Sequence, residues 1–189
     1  MALKQLSEVQ ATSPAALLPV SVIVAARNEV HNLARCLESL RGVGEVYVID
    51  SGSTDATVEI ARAHQAKVVQ FHYQGGWPKK RQWAMDTLPL AYDWVFLVDA
   101  DEALTPELAD EIKQALQNPR FDGYYVALQM YFLGRRLRHC GANFYSFHCS
   151  GAARALTNVA CAIKILRCAT WKSTSTSWFK ARLAGFSIR

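Results

Sequence analysis

Acidic residues are missing from the far end of this chain: of 189 residues, none after Asp122 is Asp or Glu. Residues 123–189 carry ten Lys or Arg, whereas residues 1–122 carry sixteen acids against eleven Lys or Arg. Such a split within a short chain points to a polyanion or a membrane surface as partner, or to a tail read in the wrong coding frame. Long apolar runs are absent too, and none approaches the ~18–20 residues of a membrane-spanning helix. The first 19 residues hold one Lys, one Glu and no continuous apolar stretch. They read as a loose cytoplasmic leader and not as a signal peptide. The five cysteines (Cys36, Cys140, Cys149, Cys161, Cys168) are odd in number and include no Cys-x-x-Cys pair. Disulfide scaffold and zinc site are both disfavoured. No internal repeat or low-complexity tract is visible. A composition of 51% hydrophobic and 20% charged residues fits one globular domain.

What is present is a run of apolar residues that ends in carboxylates: Trp94-Val95-Phe96-Leu97-Val98-Asp99-Ala100-Asp101-Glu102. The run is short, β-branched and aromatic, which predicts a strand buried on both faces, as in parallel sheets. Its carboxyl end is where open α/β sheets place their ligands. Residues two apart on a strand point the same way, so Asp99 and Asp101 can converge on one ligand. Hard oxygen donors of this kind suit Mg²⁺ or Mn²⁺ bridging to phosphate. The bland alternative is an acidic helix start, because Thr105-Pro106-Glu107 opens a helix directly afterwards.

Along the chain, strand and helix signals alternate. Strands are expected at Val20–Ala26, Val46–Ile49, Val68–Phe71, Trp94–Val98 and Tyr124–Phe132. Asn28 reads as the N-cap of a first helix carrying Leu33, Cys36, Leu37 and Leu40, stopped by Gly42 and Gly44. A second helix holds Val58, Ile60 and Ala61 and ends near His64. Pro78 suits the first position of a third, which carries Lys79, Lys80 and Arg81. A fourth is expected over Leu104–Leu116. This alternation predicts an α/β domain with a mostly parallel sheet and helices on both faces.

The strand-end segments are Ala26-Arg27-Asn28-Glu29, Asp50-Ser51-Gly52-Ser53-Thr54-Asp55 and Asp99-Ala100-Asp101. With the basic helix start at Lys80-Arg81, they resemble the nucleotide-binding half of family 2 glycosyltransferases, over residues 20–135. The stretches Gly76–Ala84 and Phe132–Arg136 resemble the branch that includes bacterial lipopolysaccharide-core glucosyltransferases. The resemblance implies a GT-A-like fold and a UDP-sugar donor. It also implies a saccharide or glycolipid acceptor and a divalent cation, Mg²⁺ or Mn²⁺. By the same resemblance Asp50 meets the uracil or ribose, Arg81 the nucleotide, Asp99 the ribose side, and Asp101, with Asp99, the metal. Arg27 and Glu29 join the donor site as its weaker members. Two basic residues in the first turn oppose the helix dipole, which a pyrophosphate would offset. No nucleic-acid partner is expected.

The general base of an inverting transfer should follow the Asp-x-Asp strand, and no acid is there to supply it. His139 and His148 are the alternatives to such an acid. The chain is therefore divided into a leader (1–19), a nucleotide-sugar-binding domain (20–145) and an atypical basic tail (146–189). The tail shows neither helix nor strand periodicity, so it is not expected to dock on the sheet. Read one base out of frame, the codons of Thr170–Lys180 can yield an alternating acidic and apolar strand with a His-Glu-His cluster. That peptide resembles the acceptor-side segment of the same family. A genuine basic tail would instead contact anionic lipid, with Arg135, Arg136 and Arg138 as its firmest members, at the inner face of the plasma membrane. The alternatives to a transferase are a donor-binding remnant or membrane-docking module without turnover, and a nucleotidyltransferase. The last would carry a Gly-rich basic loop after the first strand, which Ala25–Glu29 is not.

Overall fold

The apolar runs become the centre of a sheet because each can bury both of its faces. The computed structural model describes residues 17–119, 123–127, 129, 131–133, 135–136, 145–149 and 183–186. Strands β1 (Leu18–Ala26), β2 (Val43–Asp50), β3 (Lys67–Gln70) and β4 (Trp94–Asp99) alternate with helices α1 (Leu33–Ser39), α2 (Thr57–Ala63) and α3 (Lys80–Thr87). Helix α4 (Pro106–Gln117) follows β4. The four strands pair in parallel in the order β3-β2-β1-β4. On one face Val22, Val24, Val48, Phe96 and Val98 pack with Leu33 and Leu37 of α1, Ala61 of α2 and Leu108 and Ile112 of α4. On the other, Ile23, Tyr47, Ile49, Val95 and Leu97 pack with Ala84 and Trp83 of α3. Helices therefore cover both faces, as the alternation predicted.

Register fixes where the site lies. Ala26 pairs with Asp50, Ala25 with Asp99 and Asp50 with Gln70, so the carboxyl ends of the parallel strands finish level with one another. Beyond β4 the sheet is mixed. Strand β5 (Gly123–Ala127) is joined to β4 through β8 (Tyr145–Cys149), which is antiparallel to both, and β9 (Leu183–Phe186) is antiparallel to β5. A two-stranded hairpin of β6 (Tyr131–Phe132) and β7 (Arg135–Arg136) stands apart.

Several expectations are corrected. The strand read over Tyr124–Phe132 is split into β5 and β6. The fourth helix begins at Pro106, capped by the Thr105 hydroxyl, which accepts from the Leu108 amide at 3.2 Å. Pro78 precedes the N-cap Lys79 of α3, after a cis Trp77-Pro78 peptide. Residues 145–149 and 183–186 do join the sheet, although their region lacks strand periodicity. The rest of the tail, the leader before Leu17, Arg138 and His139 lie outside the described residues, as do the side chains of Arg136 and His148. Among the described residues no helix is long and apolar enough to cross a membrane.

The amino edge of the sheet holds a buried polar cluster that sequence reading missed. Glu45, 8% exposed, accepts from Ser21 Oγ, from Lys67 Nζ at 2.8 Å and from the Ala91 amide at 2.6 Å. Tyr47 Oη donates to the Pro89 carbonyl at 3.1 Å, and the Tyr92 amide to Ser21 Oγ at 3.2 Å. These bonds fasten the segment between α3 and β4 to the sheet. A Cβ on Gly44 would stand 2.3 Å from the Tyr92 ring, so a larger residue there would have to push that ring aside.

Candidate active site

At the carboxyl edge the turns after β1 and β2 are stitched together. Asn28 is in the left-handed region, with φ 56, and its Oδ1 accepts from the Thr54 amide at 2.8 Å. Its own amide donates to Ser53 Oγ at 2.8 Å. Asn28 is thus a clamp between loops and not the expected N-cap; Asn32 precedes α1. Left-handed backbone favours Asn over most side chains, which accounts for the residue type. The Glu29 amide donates to Thr57 Oγ1 at 2.8 Å, and the Val30 amide to Asp55 Oδ2 at 3.3 Å.

Asp50 is 1% exposed. Its Oδ2 accepts from the amides of Gly52 (3.1 Å) and Ser53 (3.0 Å), and its Oδ1 from the Ser53 hydroxyl. Burial pushes its carboxyl up, but these bonds outweigh burial and hold it below the ordinary carboxylate range. Gly52 has φ 72, which the tight turn requires.

Helix α3 brings cations across the strand ends. Lys80 Nζ donates to the Ala26 carbonyl at 3.0 Å, and burial lowers its pKa against the pull of Asp50 and Asp99. Arg81 Nη2 donates to Asp99 Oδ1 in an ion pair. No acid stands in the first turn of α3 and no side chain caps it, so Asp99 itself offsets part of the unfavourable charge there. The structure therefore joins Arg81 and Asp99 directly. Arg27 is exposed, and Glu29 accepts from Asn32 Nδ2 at 3.0 Å.

The Asp-x-Asp loop is braced from below by α1. Arg35 Nη2 donates to the Asp101 carbonyl at 2.9 Å, Cys36 Sγ to the Asp99 carbonyl at 3.8 Å, and the Leu104 amide to Ser39 Oγ at 3.0 Å. None of these three was expected at the site, and a helical stripe of mixed residues gives no sequence signal for it. Burial, then the nearby carboxylates, push the Cys36 thiol up to about 12, so it is an inert core thiol. Glu102 closes the loop: its Oε2 accepts from the Asp99 amide at 2.9 Å, and its own amide donates to the Asp99 carbonyl at 2.9 Å. Burial, then Asp99, push its carboxyl up to about 8. Asp101 is raised as well, by desolvation and then by repulsion from Asp99 and Glu29.

This negative crowding is what a divalent cation relieves, and the donors are hard oxygens that suit Mg²⁺ or Mn²⁺. Among the described residues no three His, Cys, Asp or Glu side chains form a complete shell. Asp101 and Asp99 are the side chains here that could contribute to holding such a cation.

Residues 21–171 match the family model described as Glycosyl transferase family 2. A lipopolysaccharide core biosynthesis glycosyltransferase, LpsC of Rhizobium meliloti, is 30% identical over 122 residues, covering 62% of this chain and 44% of LpsC. An uncharacterized glycosyltransferase of Rickettsia conorii is 37% identical over 106 residues, covering 56% of this chain and 36% of that protein. The chain thus spans less than half the length of these relatives. Glucosyl-3-phosphoglycerate synthase from Mycobacterium tuberculosis, solved with uridine-diphosphate, superposes with a TM-score of 0.51 at 21% identity. It covers 70% of this chain and 57% of its own, which establishes the GT-A fold.

Proposed function

The chain belongs to glycosyl transferase family 2; we propose that it is a glycosyltransferase that moves a sugar from a uridine diphosphate donor to a saccharide or glycolipid acceptor of the bacterial envelope, with inversion. The observation that carries this reading is the meeting of Asp99, Asp101 and Arg81 at the level carboxyl ends of parallel strands. The name of the Rhizobium relative supports a lipopolysaccharide-core acceptor. Such an acceptor is membrane-borne, so the protein would work at the inner face of the plasma membrane.

The roles follow from position. Asp50 would meet the uracil or ribose at the end of β2, and Asp99 the ribose side, with Arg27 and Glu29 lining the donor entry. Arg81 would reach the diphosphate, and Asp101, with Asp99, would hold Mg²⁺ or Mn²⁺. When bound, the cation supplies positive charge against the charge that develops on the departing diphosphate. Arg81 adds a fixed cation to the same end, and its pairing with Asp99 orients it before donor arrives.

Residues 123–189 supply no carboxylate to act as general base, and loss of such a base costs about 10²–10⁴-fold in rate. This favours a second reading, a donor-binding unit with little turnover, and supports the proposal that residues 146–189 are read out of frame. The nucleotide sequence across those codons distinguishes a shifted frame from a genuine tail.

The test is calorimetry of the chain with uridine diphosphate and with uridine, each with and without Mn²⁺. Diphosphate binding should strengthen with Mn²⁺. Arg81→Ala should weaken diphosphate binding by about 1.5–3 kcal/mol, the range for charge-assisted hydrogen bonds, and leave uridine nearly unaffected. Equal losses for both ligands would remove Arg81 from the diphosphate, and indifference to Mn²⁺ would remove the cation.

A further inference from the structure

Two exposed apolar tips are carried by segments that leave the same edge of the sheet as the acidic cluster. The first is the loop between β3 and α3, where Tyr73 and Trp77 are 54% and 59% exposed. It is held in shape. Lys79 Nζ donates to Tyr73 Oη at 2.7 Å and lies 5.0 Å from the ring centroid, and Tyr73 Oη donates to the Gly76 carbonyl at 3.3 Å. The second is Leu133, at the turn between β6 and β7, 80% exposed and in left-handed backbone with φ 47. A leucine is strained in that conformation and gains nothing from water, so folding alone does not explain it.

Topology fixes where the two segments leave the sheet. Gln70, the end of β3, is level with Asp50. Ala127, the end of β5, is opposite Tyr145 of β8, whose antiparallel register with β4 sets it level with Asp99. The sheet order runs β3-β2-β1-β4-β8-β5, so the two departures flank the candidate site. At a strand spacing of ~4.8 Å they stand about 24 Å apart. Both flanks are cationic. Residues 71–85 contain Lys79, Lys80 and Arg81 and no acid, and the exposed Arg135 adjoins the second tip.

We propose that this edge docks on an anionic lipid surface. Trp77 and Tyr73 at one flank and Leu133 at the other enter the headgroup region, while Lys79 and Arg135 meet lipid phosphates. Aromatic and apolar tips beside cations suit a bilayer interface, where one end of the side chain is apolar and the other wet. Separate points of insertion fit a fluid lipid surface better than a protein partner, which needs one continuous patch. The proposal rests on the reading of the acceptor as a membrane-borne glycolipid. It refines that reading, because docking by this edge presents the acceptor to the Asp99–Asp101 end of the sheet without extraction from the bilayer.

Flotation of the full chain with vesicles of phosphatidylcholine, and of phosphatidylcholine with an equal share of phosphatidylglycerol, is the experiment. Binding is expected to the anionic vesicles alone and should weaken at high salt. Trp77→Ser and Leu133→Asn should each lower partitioning about tenfold, the change produced by ~1.4 kcal/mol of lost insertion. Asn tolerates left-handed backbone, so Leu133→Asn keeps the turn. Absence of wild-type binding overturns the proposal, and so does undiminished binding by both variants, which would leave the basic tail as the sole lipid contact. Calorimetric uridine diphosphate binding should be unchanged in both variants. A loss there matching the loss of flotation would assign Trp77 to the donor pocket and overturn the surface. Trp77-dependent self-association without lipid binding would overturn it in favour of a protein contact. Failure of the wild-type chain to bind uridine diphosphate, with flotation and its variants behaving as stated, would support the docking surface and overturn the sugar-transfer reading instead.

Discussion

Glu45 at the amino edge of the sheet and Asp101 and Glu102 at its carboxyl edge are treated in opposite ways. At the amino edge Glu45 is deeply buried, yet Lys67, Ser21 and the Ala91 amide outweigh burial and hold its carboxyl below the ordinary range. At the carboxyl edge Asp101 and Glu102 are raised, by desolvation and then by Asp99 beside both. The strands are the same and the residue types nearly so. The difference lies in whether donors and opposite charge outweigh burial and neighbouring acids around each carboxylate. A carboxylate whose partners are complete belongs to the architecture; a group of carboxylates with surplus negative charge is arranged for something that arrives later.

That contrast can be broken by substitution. Glu45→Ala should give the largest effect, a loss of about 2–4 kcal/mol in unfolding free energy, because it strands the Ala91 amide and the Ser21 hydroxyl and frees the segment before β4. Denaturant unfolding measures it, and a loss below half a kcal/mol would make the cluster ornamental. A smaller effect should follow from pH. The folded pKa of Glu45 lies below its ordinary 4.5, so its contribution is present above that value and is lost as pH falls through the folded pKa. The melting temperature should fall with pH in that window for the wild type, and fall less for Glu45→Gln. The loss should be smaller than for alanine, since a neutral carboxyl still fills the site. Smallest is Asp101→Asn, expected to change stability by no more than about 0.5 kcal/mol, in the stabilising direction, because it removes one acid from a crowded group. The same variant should lose the Mn²⁺-dependent part of uridine diphosphate binding. A clear destabilisation by Asp101→Asn would erase the distinction between the edges.

The central strands were legible because parallel strands buried on both faces are written as continuous apolar runs, as in Val20–Ala26 and Trp94–Val98. The acids at their ends were legible because a strand end is a fixed place. The structure differs where meaning depends on a distant segment. Asn28 carries every mark of a helix cap, and only its bonds to Ser53 and Thr54 reveal a clamp. Glu45 looks like a polar interruption in a strand until Lys67 and Ala91 are brought to it. Strand β8 was not expected because it inserts antiparallel beside β4 from far along the chain, and local periodicity carries no trace of that pairing. Arg35, Cys36 and Ser39 brace the Asp-x-Asp loop from a helix face that reads as ordinary.

The Asp50 turn has a thermodynamic consequence. Its carboxylate holds the amides of Gly52 and Ser53 and the Ser53 hydroxyl, and Ser53 in turn receives the Asn28 amide. The backbone at this end of the sheet is therefore frozen by the chain itself, before any guest is present. A ligand that settles against it has little loop entropy to remove, since folding has already done so. Its association should show a modest entropic penalty and little change in amide exchange protection over residues 50–57, the signature of a lock already cut to shape.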